Sequence, residues 1–321
     1  MRLDRMEIAT EPRRLAGRTE PRGTKTGFPL WGAFAFGGIF VVAGSLIVLV
    51  GTRVIPVDPR GVHAPWWVLT VMGVVFALCG LGVWGMGLRQ YRAERHRAEA
   101  RRRHPGRPEL ADHPWDPAGF APPRWARAAK AVAGAVLMSL FISIFNWWAF
   151  FTDAPWMVRA VTILFDLILV LVLWETGVRI GRAIRFGGSR VEYGQFPFRP
   201  GQTVRLRWWP APGIGEVRKG RFTLRCVKEW YEHRGHGKNR SAHLVQQEQW
   251  AMHRFLDHAG TLRHERRQEL EFELPPHVPS TELSADQPVF WELEIELDLP
   301  GLDFEEIYLV PVYAEGGGSS P

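Results

Sequence analysis

Cysteine, lysine and tyrosine are scarce in this chain. Two cysteines among 321 residues, Cys79 and Cys226, cannot make a disulfide framework. Both sit in apolar patterns where a thiol packs as a small hydrophobe, a usage that fits a reducing compartment around Cys226. Signatures of catalysis are missing as well. No G-x-S-x-G elbow occurs, and Cys226 shares an apolar face with Phe222 and Leu224, where a thiol stays neutral. The stretch from Gly215 to Arg221 (GEVRKGR) has neither the Lys-Ser/Thr pair nor the following helix of a phosphate loop. His264-Glu265 has no second histidine four residues after the first, which removes the zinc-protease pattern. His233, His236 and His243 have no cysteine beside them and lie around a glycine-rich turn (Gly235, Gly237, Lys238), so they read as exposed loop histidines. No enzymatic activity, cofactor or metal is expected.

A single sign of charge is also lacking. Residues 1–190 carry a net charge of +12 and residues 191–321 a net charge of −5, so the overall +7 is a sum of opposites. That split argues against a basic nucleic-acid-binding protein. What stands out instead is four long stretches with almost no charge. Residues 27–51 contain no charged side chain, and at 1.5 Å per residue they cross a hydrocarbon core of about 30 Å. The run ends at Gly51-Thr52-Arg53 without a small-x-small cleavage pattern, so it reads as a retained span. Residues 65–88 form a second run, with Trp66, Trp67 and Trp84 near its ends. Residues 131–151 and 156–178 form the third and fourth, joined by Thr152 to Pro155 as a hairpin.

Orientation follows from the basic residues, because cytoplasmic flanks carry the excess. They include Arg2, Arg5 and Lys25 before the first span, Arg89 to Lys130 between the second and third, and Arg179, Arg182, Arg185 and Arg190 after the fourth. The other two loops hold only Arg53, Arg60 and the flanking Arg159. Both termini are therefore expected in the cytoplasm. The expected organisation is a basic tail (1–26), a first helix pair (27–88), a basic helix and Pro-rich linker (89–130), a second helix pair (131–185), a β-rich domain (186–315) and a terminal tail (316–321). In the basic helix, Arg95, Arg97, Arg101, Arg102 and Arg103 could meet anionic lipid headgroups or could simply be solvated.

Asp166 lies near the middle of the fourth run, where a carboxylate is expensive and must find a partner or stay protonated. On the third, Ser139, Ser143 and Asn146 share one helix face, so a polar seam is expected; Arg159 could reach Asp166 or snorkel outward. Such a seam could relay protons or ions, or it could simply join helices. Small residues four apart (Ala33 and Gly37, Gly73 and Ala77, Gly177 and Gly181) allow close helix approach within this bundle or between copies, leaving a homo-oligomer open.

Beyond Arg190 the periodicity turns from helical to alternating, the mark of half-buried strands. Val204, Leu206 and Trp208 alternate with Arg205 and Arg207, and Leu270, Phe272 and Leu274 with Glu269, Glu271 and Glu273. Val289, Trp291, Leu293, Ile295 and Leu297 alternate with Glu292, Glu294, Glu296 and Asp298. Seven or eight such strands predict an antiparallel β-sandwich. The acidic row 292–298 pairs with neighbouring arginines, is solvated, or docks a basic partner or the basic linker of the same chain. Trp209, on the opposite pleat from Trp208, would be an aromatic anchor for docking. Calcium fits this row poorly, because carboxylates along one strand face diverge.

Several short motifs carry a resemblance. Pro200-Gly201-Gln202-Thr203-Val204 opens a strand, and Glu271-Phe272-Glu273-Leu274-Pro275 is followed by Pro279-Ser280 and the long strand from Phe290. In order and spacing this resembles an arrestin-type sandwich over residues 190–315, and the whole chain resembles a family of bacterial four-helix membrane proteins with an arrestin-like cytoplasmic domain. A bias of 35 arginines to five lysines agrees with a GC-rich bacterial source. The resemblance implies an inner-membrane protein that acts as a non-catalytic scaffold or adaptor for an unidentified protein partner. A small transporter or transport regulator built on Asp166 is the alternative. Arrestins have two sandwiches and this chain has room for one, so receptor-type phosphate sensing is not implied.

Overall fold

The computed structural model describes residues 5–18, 20–24, 30–58, 65–235, 241–256 and 260–314. The start of the first apolar run (27–29), Arg2, Lys25, Arg60, His236, Gly237, Lys238 and the tail 316–321 lie outside these residues. The chain forms two compact units, one of residues 27–93 and 123–183 and one of residues 1–26, 94–122 and 184–321.

The first unit is helical. Helices α1 (Leu30–Gly51), α2 (Trp66–Arg103), α4 (Arg124–Phe151) and α5 (Trp156–Phe186) are each long and apolar enough to cross a membrane. Helix α2 continues past its apolar part through the charged stretch and stops before Pro105, which cannot extend a helix. Helices α1 and α2 pack backbone to backbone. Gly37, Gly44 and Gly51 recur every seven residues on α1, as do Gly73, Gly80 and Gly87 on α2. A Cβ on Gly44 would lie 2.5 Å from the Ala77 nitrogen, and one on Gly80 would lie 2.5 Å from the Gly37 carbonyl oxygen. Of the pairs expected from four-residue spacing, Ala33 with Gly37 and Gly73 with Ala77 belong to this contact, whereas a Cβ on Gly177 or Gly181 would meet nothing within 4 Å.

The second unit is β-rich. It contains β1 (Arg5–Ala9), β2 (Arg13–Arg14), the short helix α3 (Pro108–Asp112), β3 (Gly119–Phe120), β4 (Arg190–Tyr193), β5 (Thr203–Trp209), β6 (Glu216–Val217), β7 (Lys219–Arg234), β8 (Ser241–Leu256), β9 (Gly260–Thr261), β10 (Gln268–Glu273), β11 (Val289–Asp298) and β12 (Phe304–Val310). Two antiparallel sheets dominate, one in the order β1-β8-β7-β11-β12 with β2 also on β8, the other in the order β10-β5-β4-β3. Their inward side chains merge into one apolar cluster. Val191, Leu206, Trp208 and Phe272 enter from the smaller sheet, and Phe222, Leu224, Cys226, Trp250, Trp291 and Ile295 from the larger. The alternation on β5 and β10 is as the sequence predicts.

Two segments depart from expectation. The residues expected as a basic tail form β1 and β2, which pair antiparallel with β8 through Arg5↔Phe255 to Ala9↔Ala251 and Arg13↔Glu248. The expected Pro-rich linker contributes α3 and β3, which pairs with Val191 and Glu192. Neither segment has an amphipathic period of its own. Both are ordered by backbone hydrogen bonds to a sheet edge, a few polar contacts and isolated apolar side chains, Leu15, Trp115 and Phe120, which make no repeating pattern.

Candidate functional site: a charged face under the N-terminal segment

On the outer face of the larger sheet, pleating and register place β7 residues opposite β11 residues: Arg225 faces Glu292, Thr223 faces Glu294 and Arg221 faces Glu296. Next door, β8 adds Gln246 and Glu248. The expected solvated acidic row is therefore corrected at its centre. Glu292 has no exposed surface and Glu294 is 6% exposed, because the N-terminal segment crosses this face.

The Arg225 guanidinium is the hub. Its Nε donates to Glu292 Oε1 at 2.7 Å, its Nη2 meets Glu294, and its Nη1 is 3.5 Å from Glu248 Oε2. Arg18 arrives from the N-terminal segment and donates to the same two carboxylates, to Glu292 Oε1 at 2.5 Å and Glu294 Oε1 at 2.7 Å. Burial alone pulls the Arg225 pKa down, but Glu292 and Glu294 outweigh it and hold the group firmly protonated. Burial likewise pushes Glu294 up, and Arg225 and Arg18 reverse this, so its carboxyl sits below the ordinary value.

A second anchor lies beside the first. Glu229 accepts the Arg22 and Gly23 backbone N–H groups, both at 3.0 Å, and Gln246 Nε2 at 2.7 Å. Only glycine fits at position 23, where a Cβ would fall 2.4 Å from Pro288 Cγ. The face thus buries Glu229, Glu248, Glu292 and Glu294 against Arg225 and the incoming Arg18. Even so, Glu292 Oε2 is buried without a hydrogen-bond partner.

The other expected docking residues do not join this cluster. Glu296 pairs with Arg221, and exposed Asp298 lies 3.8 Å from Arg218 Nη1. Trp209 sits in the smaller sheet, half-buried under the Arg190 guanidinium at 5.1 Å. It is not an open anchor beside the acidic row. Glu294, Glu296 and Glu305 come together closely, but Arg18, Arg225 and Arg221 already neutralise the first two.

Of the arginines expected at lipid headgroups, Arg97 donates to the Thr24 carbonyl at 3.2 Å and Arg101 to Ser284 Oγ at 3.1 Å. Both bonds lie within the β-rich unit. Arg103 pairs with Glu99 one helical turn away, and Arg95 and Arg102 are exposed.

In the helical unit the expected seam reduces to one bond, from Asn146 Nδ2 to Asp166 Oδ1 at 2.7 Å. Ser139 and Ser143 bond to the Ala135 and Leu140 carbonyls of their own helix. Arg159 donates to the Ala149 carbonyl at 3.0 Å, at the end of α4, rather than to Asp166.

Sequence reasoning missed one more anchor. Asp112 accepts the Leu283 and Ser284 backbone N–H groups at 2.8 and 2.7 Å and the Tyr313 hydroxyl at 3.0 Å, and Trp115 Nε1 donates to that hydroxyl at 2.9 Å. Burial first, and then Asp112, push the Tyr313 hydroxyl well above the usual phenol range. Nothing near Asp112 in sequence signals this role, whereas the pairing of Arg225 with the glutamate row was legible as opposite charges on neighbouring strands.

No family model and no curated protein matches the chain. Among solved structures, one similar chain is Spo0M, a sporulation control protein from Bacillus subtilis, at 14% identity and a TM-score of 0.24 over 39% of this chain and 48% of that one. The chain thus spans about half the length of that structure.

Proposed function

We propose that this chain is an integral protein of a bacterial inner membrane, with both termini in the cytoplasm and an arrestin-like β-sandwich that binds another protein without catalysis. Supporting it are the four membrane-length helices, the concentration of arginine on the flanks assigned to one side, and the two antiparallel sheets that share one core. One observation carries the binding role. The β8 edge already holds an extended segment by strand addition, with β1 and β2 as added strands and Arg18 as the side-chain anchor. Edge pairing for affinity and pockets for side-chain choice are a general mode of peptide recognition.

The transport reading finds less support. Asp166 is used to bond Asn146, and Arg159 to cap the end of α4, so both groups join α4 to α5.

The test has two arms on the full chain in its native membrane. A reporter at the C-terminus is expected to be active in the cytoplasm. A photocrosslinking residue at Gln249, partly exposed on β8, the strand that receives the added segment, is expected to give one discrete protein adduct. A reporter active only in the periplasm, or crosslinks to lipid alone, refutes the reading.

A further inference from the structure

The N-terminal segment is held in an unusual way. Met6 and Ile8 are 55% and 56% exposed, so β1 buries little hydrocarbon. Leu15 packs beside Val227, Leu283 and Phe290. The remaining hold is polar: backbone pairing to β8, the Arg18 guanidinium on Glu292 and Glu294, and the Arg22 and Gly23 amides on Glu229. Such contacts read a pattern more than a particular chain. They ask for an apolar residue, an arginine three positions later and a glycine five positions after that, as in Leu15, Arg18 and Gly23.

Charge balance favours a covered face. With the segment gone, Glu229, Glu248, Glu292 and Glu294 would face Arg225 alone, in a cluster where Glu292 Oε2 already lacks a partner. Water would then reach the face, but four carboxylates gathered around one guanidinium still repel one another, and a second guanidinium matched to two of them is the natural remedy. Lysine, a single point charge, would span both Glu292 and Glu294 poorly.

We propose that this face is a docking site for an arginine-bearing extended segment of a partner protein, and that residues 5–24 are its resident occupant, which such a partner replaces. The proposal rests on the adaptor reading and names its partner chemistry: a basic strand with leucine, arginine and glycine in the Leu15-Arg18-Gly23 spacing. Acidic and phosphorylated segments are excluded by the four glutamates.

The test uses the folded full chain. A protease site is placed between Thr24 and Leu30, the purified protein is cut in detergent, and a fluorescent peptide of residues 5–24 is added. The peptide is expected to exchange into the cut protein, raising its anisotropy, and to enter the uncut protein only at concentrations high enough to compete with the tethered segment. A peptide carrying Arg18→Glu is expected to bind about a hundredfold more weakly, since it removes a buried charge pair and adds a fifth carboxylate. Arg18→Lys should fall between the two. Because these changes are made in the peptide, folding of the protein is not at stake. The proposal is overturned if the cut segment stays bound for a day without exchange while the β-rich unit remains folded, or if the Arg18→Glu peptide binds as well as the parent. Exchange that succeeds while a photocrosslinking residue at Gln249, on the receiving strand β8, yields no protein adduct in cells would leave the docking chemistry standing and sink the adaptor role.

Discussion

Arg225→Met is the perturbation that tests the charged face most directly. Methionine matches the length of the aliphatic part of arginine, so the main loss is the guanidinium that touches Glu292, Glu294 and Glu248. Arg225 and Glu248 are each 4% exposed at the side chain and Glu292 is not exposed at all, so water cannot replace the lost partner. Breaking a buried pair from one side costs about 3–5 kcal/mol, because a charge is left uncompensated. For a unit of this size that lowers the midpoint of thermal unfolding by roughly 10–15 °C, readable by circular dichroism of the β signal in detergent. The pH dependence supplies the sharper check. In the parent protein Glu294 titrates below its unfolded value of 4.5, so its contribution is complete above that pH and is lost as pH falls through the lower folded value. In Arg225→Met the Glu294 carboxyl is buried with less compensation and its pKa rises, so the variant should gain stability as pH drops from 7 to 5. Adding Glu292→Gln and Glu294→Gln to Arg225→Met should restore most of the loss. A single variant within 2 °C of the parent, or one that loses stability on mild acidification, would refute the account of this face as a tightly coupled ion cluster.

Gly80→Ile should weaken α1–α2 packing by about 1–3 kcal/mol in detergent denaturation, while Gly85→Ile, with nothing within 4 Å of its Cβ, should leave it unchanged. Asp112→Ala removes the acceptor for two backbone N–H groups and the Tyr313 hydroxyl, so it should cost about 2–4 kcal/mol and speed amide exchange at Leu283 and Ser284 before the rest of the unit. The Cys226 thiol, which burial pushes up to about 12, should resist iodoacetamide at pH 8 until the β-rich unit unfolds.

The inward positions Val204, Phe272 and Trp291 were readable because alternation itself encodes which face of a strand is buried. Asp166 was legible as a group in need of a partner, and Asn146 as one of three choices on the facing helix; which of the three reaches it depends on helix rotation. The four-residue pairs, Ala33 with Gly37 and Gly73 with Ala77, were legible and both lie in the α1–α2 contact, whereas its continuation in sevens through Gly44, Gly51, Gly80 and Gly87 was not. A spacing of four keeps neighbours on one face over a single turn, but a contact running the length of two helices follows a repeat near two turns.

From the sequence alone came the four apolar runs, the charge asymmetry of their flanks, and the inward residues of β5, β10 and β11. Each follows from local transfer energies or from a period that the backbone imposes. Only the tertiary structure decided that Glu292 and Glu294 are buried, that Arg18 reaches them across more than 270 positions of chain, and that a supposed tail and a supposed linker each add strands to a sheet. A charge row is solvated or buried according to what lies over it. An added edge strand is chosen by the free hydrogen-bonding groups of its neighbour, which no pattern in its own residues can announce.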